Sequence, residues 1–158
     1  MRIAIEKKEG LEGKKLKFAV VVSRFNPRIT RKLLEGALLG LDECQVPKKN
    51  IRILEVPGAF EIPQAAAQIA KYRQVDAVIC LGAVIRGGTP HFEYISAETA
   101  RGIMDAGLQS GIPFIFGVLT VNSLRQAVVR TLGRDNKGRE AALAAVEMAL
   151  LFKQIKKK

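Results

Sequence analysis

Tryptophan is absent from this chain, histidine occurs once and cysteine twice. One histidine and two distant cysteines cannot supply the ligand set of a structural zinc site, so no metal is expected. Cys44 and Cys80 form no CxxC pair. That leaves neither a redox motif nor a disulfide framework, and a reducing, cytoplasmic setting is expected. Cys80 falls inside the apolar run AVICL and reads as a small core residue. No uncharged run approaches the length of a membrane span. The opening MRIAIEKKEG carries Glu6 and Glu9 and has no apolar central region, so it does not read as a secretory leader. The chain has neither a Walker A loop nor a G-x-G-x-x-G turn. Nor does any series of aromatic residues interleaved with basic ones offer bases a stacking platform, so nucleic acid is not expected as the principal partner.

Apolar residues make up 48% of the 158 positions, which excludes intrinsic disorder and fits one domain with a substantial core. The whole chain, 1–158, reads as that domain, with an N-terminal arm at 1–14 and a basic tail at 156–158. The formal charge of +11 favours anionic partners. Its groups are mostly scattered, as in EGKKLK and VPKKN, and only the ending FKQIKKK is a cluster.

Apolar, β-rich runs alternate with helical patterns. LKFAVVV (16–22), IRILEV (51–56), DAVICLG (76–82) and FIFGVL (114–119) read as strands of a sheet covered on both faces. RIAI (2–5) is a candidate fifth strand, free to pair with another subunit. Ile29, Leu33, Leu34, Ala37, Leu38 and Leu41 form a helical stripe, with Asn26 as expected N-cap and Pro27 in the first turn. Further helices are expected over 62–72, from Pro90 onward with Thr89 as cap, over 123–131 and over 138–155. The third carries Phe92, Ile95, Thr99 and Ile103 on one face. The last is alanine-rich and apolar around most of its circumference, so it should be deeply packed. Strand–helix–strand repetition predicts a single-domain, three-layer α/β/α sandwich around a four-stranded parallel sheet, flavodoxin-like in kind.

In such sheets ligands bind beyond the carboxyl ends of the strands. The segments there are SRFN, PGAFEIP, AVIRGGTPH and TVNSLRQAVVR. Gly87, Gly88 and Thr89 lead directly into a helix, where free backbone N–H groups favour an anion. His91, the single histidine, falls in the first turn, where the positive end of the helix dipole disfavours imidazolium. A neutral imidazole beside an anion can serve as a general base and then an acid. A plain turn with a surface histidine beside it fits the same residues equally well. Phe25 suits either a hydrophobic staple or a ring stacked on a flat heterocycle. Glu61 suits either hydroxyl recognition or a favourable first-turn charge. Phe116 reads as core by position, and Arg130 and Lys137 as phosphate contacts or solvated charges.

Six segments together carry a resemblance: SRFN (23–26), VPGAFEIP (56–63), GAVIRGGTPHFEYI (82–95), FGVLT (116–120), QAVVR (126–130) and NKGREAA (136–142). In this order and spacing the chain resembles the lumazine synthases of riboflavin biosynthesis. The resemblance implies condensation of 5-amino-6-(D-ribitylamino)uracil with 3,4-dihydroxy-2-butanone 4-phosphate, releasing phosphate and water, without a cofactor. It implies that Phe25 stacks on the pyrimidine and that Ala59, Phe60 and Glu61 line the ribityl pocket. Val84 and Ile85 contact substrate through their backbone. Gly88, Thr89 and Arg130 hold phosphate, His91 moves protons, and Phe116, Lys137 and Glu140 act near the same pocket. It further implies rings of five subunits, with Phe116 reaching across the interface.

The link RTLGRDNKG reads as one residue shorter than the glycine-rich form usual in the family, which bears on where Lys137 sits. Free pentamers and sixty-subunit icosahedral shells both stay open. In a shell, a tail pointing inward would make a basic lumen for anionic cargo. Two other readings share the fold: a flavodoxin-like flavin carrier and a non-catalytic shell protein. The first expects a Ser/Thr/Gly-rich loop after the first strand, where this chain has SRFNPRIT, and the second is disfavoured by the retained His91 and Arg130.

Overall fold

The computed structural model describes residues 10–156. The candidate strand at 2–5 and the last two lysines of the tail lie outside the described residues. Four parallel strands, β1 (Phe18–Ser23), β2 (Ile51–Val56), β3 (Ala77–Ile85) and β4 (Phe114–Val121), form one sheet in the order β2-β1-β3-β4. Phe18 lies opposite both Ile51 and Ala77, and Val78 lies opposite Phe114. β3 runs on to Ile85 rather than ending at Gly82, because β4 continues beside it and pairs Ile85 with Val121. The expected three-layer α/β architecture is present.

Among the described residues, five α-helices connect and cover the strands: α1 (Pro27–Glu43), α2 (Ile62–Tyr72), α3 (His91–Ser110), α4 (Leu124–Val129) and α5 (Lys137–Lys156). Alternation along β1 splits the interior in two. Phe18, Val20 and Val22 join the core under α1 and α5, and Ala19 and Val21 join the core under α2 and α3. The stripe expected on α1 is buried at Ile29, Leu33, Ala37 and Leu41.

α1 and α5 meet at very close range. A Cβ on Gly138 would overlap the Leu33 carbonyl oxygen, so only glycine allows this approach. Asn136, just before α5, closes the seam. Its Nδ2 donates to Lys32 O at 2.9 Å and to Thr131 O at 3.0 Å. Its Oδ1 accepts from the N–H groups of Gly138 at 2.8 Å and Arg139 at 3.3 Å, which caps the helix. Arg139 adds a two-pronged ion pair to Glu43, Nε–Oε1 2.9 Å and Nη2–Oε2 2.7 Å. That bond pushes the Arg139 ionisation further up.

Two expected caps are not made. Asn26 adopts the left-handed conformation, φ 57°, and caps nothing with its side chain. A left-handed residue does not present its side chain to the first-turn N–H groups as an extended one does. Its Nδ2 donates instead to Ala83 O at 2.8 Å, which ties the turn after β1 to the end of β3. At α3 the residue preceding the helix is Pro90, not Thr89, and no side chain caps it. Among the described residues no helix is long and apolar enough to cross a membrane.

Candidate functional site

The carboxyl ends of β1, β2 and β3 open into a cleft of about 490 Å³. Phe25 and Asn26 come to it from the turn after β1. Ala59, Phe60 and Glu61 come from a 3₁₀ turn (Ala59–Glu61) that follows β2. Val84 and Ile85 end β3, Gly87 and Thr89 form the loop beyond it, and His91 opens α3. Gly88 lies between Gly87 and Thr89 without lining the cleft itself.

Exposure decides two of the open alternatives. Phe25 is 69% exposed, so it is no hydrophobic staple but a ring available at the cleft. Phe116, expected in the core from its apolar run, is 44% exposed. β4 is an edge strand, and its outer side has no strand beside it among the described residues. The N–H groups of Gly87, Gly88 and Thr89 make no hydrogen bond among the described residues. Three donors free on a glycine-rich turn ahead of a helix are the arrangement that suits a phosphate.

Phe116, Arg130, Lys137 and Glu140 do not join that cleft. They line a second one, of about 360 Å³, along β4 and the start of α5. Lys137 Nζ pairs with Glu140 Oε2 at 2.6 Å. The Lys137 N–H donates to Arg130 O at 2.9 Å, and Arg130 Nη1 donates to Gln126 O at 2.9 Å. The short link therefore still brings Arg130, Lys137 and Glu140 together. The two clefts share no lining residue.

A sequence profile describing 6,7-dimethyl-8-ribityllumazine synthase matches residues 15–153. The chain belongs to the 6,7-dimethyl-8-ribityllumazine synthase family. A relative so named from Syntrophus aciditrophicus (strain SB) is 49% identical over 146 residues, covering 92% of this chain and 95% of the relative. Family membership does not favour the flavin-carrier and non-catalytic readings. In this lumazine synthase family member, the residues that sequence reasoning passed over are supporting ones. Arg86 was detectable as a cation between a strand end and two glycines. Asn136 is detectable as an amide beside a helix start, and Asn26, expected only as a cap, binds Ala83 O instead.

Proposed function

We propose that the chain condenses 5-amino-6-(D-ribitylamino)uracil with 3,4-dihydroxy-2-butanone 4-phosphate to 6,7-dimethyl-8-ribityllumazine, at sites each completed by a second subunit. The observation that carries this is the division of one family site into two non-overlapping clefts. Phe25, Ala59, Phe60, Glu61, Val84, Ile85, Thr89 and His91 line one, and Phe116, Arg130, Lys137 and Glu140 line the other. Apposing the first cleft of one subunit with the second cleft of its neighbour assembles the full set. A repeating head-to-tail contact of this kind closes into a ring where its rotation allows, and the family resemblance makes that a ring of five. α3 supports the ring. Tyr94, Met104 and Leu108 are largely exposed and, with Ala97 and Arg101, recur at alternating three- and four-residue steps, the spacing of a helix seam.

Within the assembled site the pyrimidine stacks on Phe25, and Glu61 accepts hydrogen bonds from ribityl hydroxyls. The phosphate sits on the N–H groups of Gly87, Gly88 and Thr89 and faces Arg130 from the neighbour. His91, two residues beyond Thr89, carries protons through imine formation, phosphate elimination and ring closure. Holding two substrates together supplies much of the acceleration, and proton transfer adds about 10²–10⁴-fold. His91→Ala therefore keeps slow turnover.

The test is incubation of the purified protein with both substrates, followed by lumazine fluorescence. His91→Ala and Arg130→Ala, each in a different cleft, are then co-refolded. Random mixing restores about a quarter of the sites if each is shared by two subunits, raising activity above either variant alone. No gain in verified mixed oligomers removes the shared site, and no lumazine from the native protein removes the activity.

A further inference from the structure

The loop that carries the free N–H groups has little of its own to hold it. Five residues, 86–90, join β3 to α3, and two of them are glycines. A Cβ on Gly87 or Gly88 would meet nothing within 4 Å, so the glycines are not packed in place. Glycine also loses the most conformational freedom on ordering. Yet this is the segment whose exact shape an anion seat needs.

One side chain spans it. The Arg86 N–H donates to Val121 O at 2.9 Å, which fixes the loop's entry. Its Nε donates to Asn122 Oδ1 at 3.0 Å, beyond the end of β4. Its Nη1 donates to Glu93 Oε1, in the first turn of α3, and its guanidinium carbon lies 4.3 Å from the centre of the Phe92 ring. The fork thus grips both sides of the glycines. Asn122 is itself held, its N–H donating to Gln126 Oε1 at 2.8 Å. Gln126 belongs to α4, the helix that Arg130 ends.

We propose that Arg86 is a positioning residue for the phosphorylated substrate: by bridging Asn122 and Glu93 it holds residues 87–89 in their anion-receiving shape. This rests on the reading of that loop as the phosphate seat. Arg86 does not line the cleft, so it acts through the loop rather than on the substrate. Stability does not account for it. The Arg86 and Glu93 side chains are 43% and 50% exposed, and ion pairs so open to water add little to folding. Charge gives a second reason. The hydrogen bond from Arg86 holds the Glu93 carboxyl below its usual range, so Glu93 is an anion close to the seat. The guanidinium offsets that charge. Lysine is no substitute, because a single ammonium on a flexible stem cannot reach two partners in a fixed fork.

The experiment is steady-state kinetics of the assembled enzyme in each substrate, with inorganic phosphate as inhibitor. Arg86→Ala should raise KM for the phosphorylated substrate and Ki for phosphate about tenfold, the loss of a charged hydrogen-bonded tie, while KM for the pyrimidine stays within about twofold and Tm is unchanged. Arg86→Lys should recover less than half of the loss. Full rescue by lysine, an equal rise in both KM values, a parallel fall in Tm, or no effect at all overturns the proposal. Thr89→Pro, which removes one of the three N–H donors, is measured alongside and separates the two levels. If it weakens phosphate binding and Arg86→Ala does not, only the clamp fails. If neither variant does, the seat itself is wrong, and the clamp with it.

Discussion

The two helical layers of this small domain are packed to different ends. On one side α5 buries Gly138, Arg139, Ala141, Ala142, Leu143, Ala145, Val146 and Ala149 against α1 and the sheet. On the other, α3 has the same twenty-residue length and buries only Thr99 and Ile103 within its own chain. Composition explains the contrast. α5 turns small residues toward α1 so that the two helices nearly touch, whereas α3 carries bulky apolar side chains outward. The closed side positions Arg130, Lys137 and Glu140. The open side carries His91 at its tip and, on the proposed assembly, waits for neighbours. Rigidity and incompleteness are thus assigned to opposite faces of one sheet.

The sharpest way to break this contrast is to add one methyl group on each side. Gly138→Ala forces a Cβ into the Leu33 carbonyl, which is backbone and cannot rotate away. The helices must separate, and a loss of about 3 kcal/mol or more is expected, toward the upper end for overpacking. Gly88→Ala meets nothing within 4 Å and should leave the urea midpoint unchanged. Equal midpoints for the two variants would show that the α1–α5 seam yields more readily than its geometry implies.

The next effect tests the polar half of the same seam. Arg139→Met keeps most of the apolar stem and removes the guanidinium that grips Glu43. About 2–3 kcal/mol should be lost, below the range for a fully buried pair because Glu43 is partly exposed. Arg139 has its ionisation pushed up in the folded state, so its contribution is complete below the unfolded value and lost only in strong alkali. The difference from native protein should therefore stay flat between about pH 6 and 9. A difference that shrinks across that window would mean another group carries the interaction.

Much of this is legible in the sequence itself. IRILEV gave β2 its observed bounds, and Phe92, Ile95, Thr99 and Ile103 marked the inward face of α3, because apolar periodicity reports directly on burial. Strand order is different, since period-two alternation says nothing about which strand ends at an edge. That is why Phe116 read as core. Long-range polar ties were equally hidden. Asn26 looked like a cap because Asn before Pro usually is one, but its partner is Ala83 O, 57 positions away. Arg86 draws no reading from the sequence, because its partner Asn122 is 36 positions away. The division into two clefts is likewise not readable from periodicity, and only the family resemblance, which places Phe116 across an interface, pointed to it.

The smallest expected effect lies inside the looser layer. Thr99 is fully buried on α3, and its hydroxyl has no hydrogen-bond partner among the described residues. A buried hydroxyl without a partner costs free energy that an apolar group of the same shape does not. Thr99→Val replaces the oxygen with a methyl of nearly the same volume, so its packing is retained. The variant should be more stable by about 1 kcal/mol in chemical denaturation. α5 offers no equivalent, because Asn136 and Arg139, the buried polar residues at its start, are hydrogen-bonded. A gain at 99 would show that the layer carrying His91 holds an uncompensated buried hydroxyl. A loss would show that the hydroxyl has a partner in the assembled protein, and a neighbour packed against α3 is where that partner would come from.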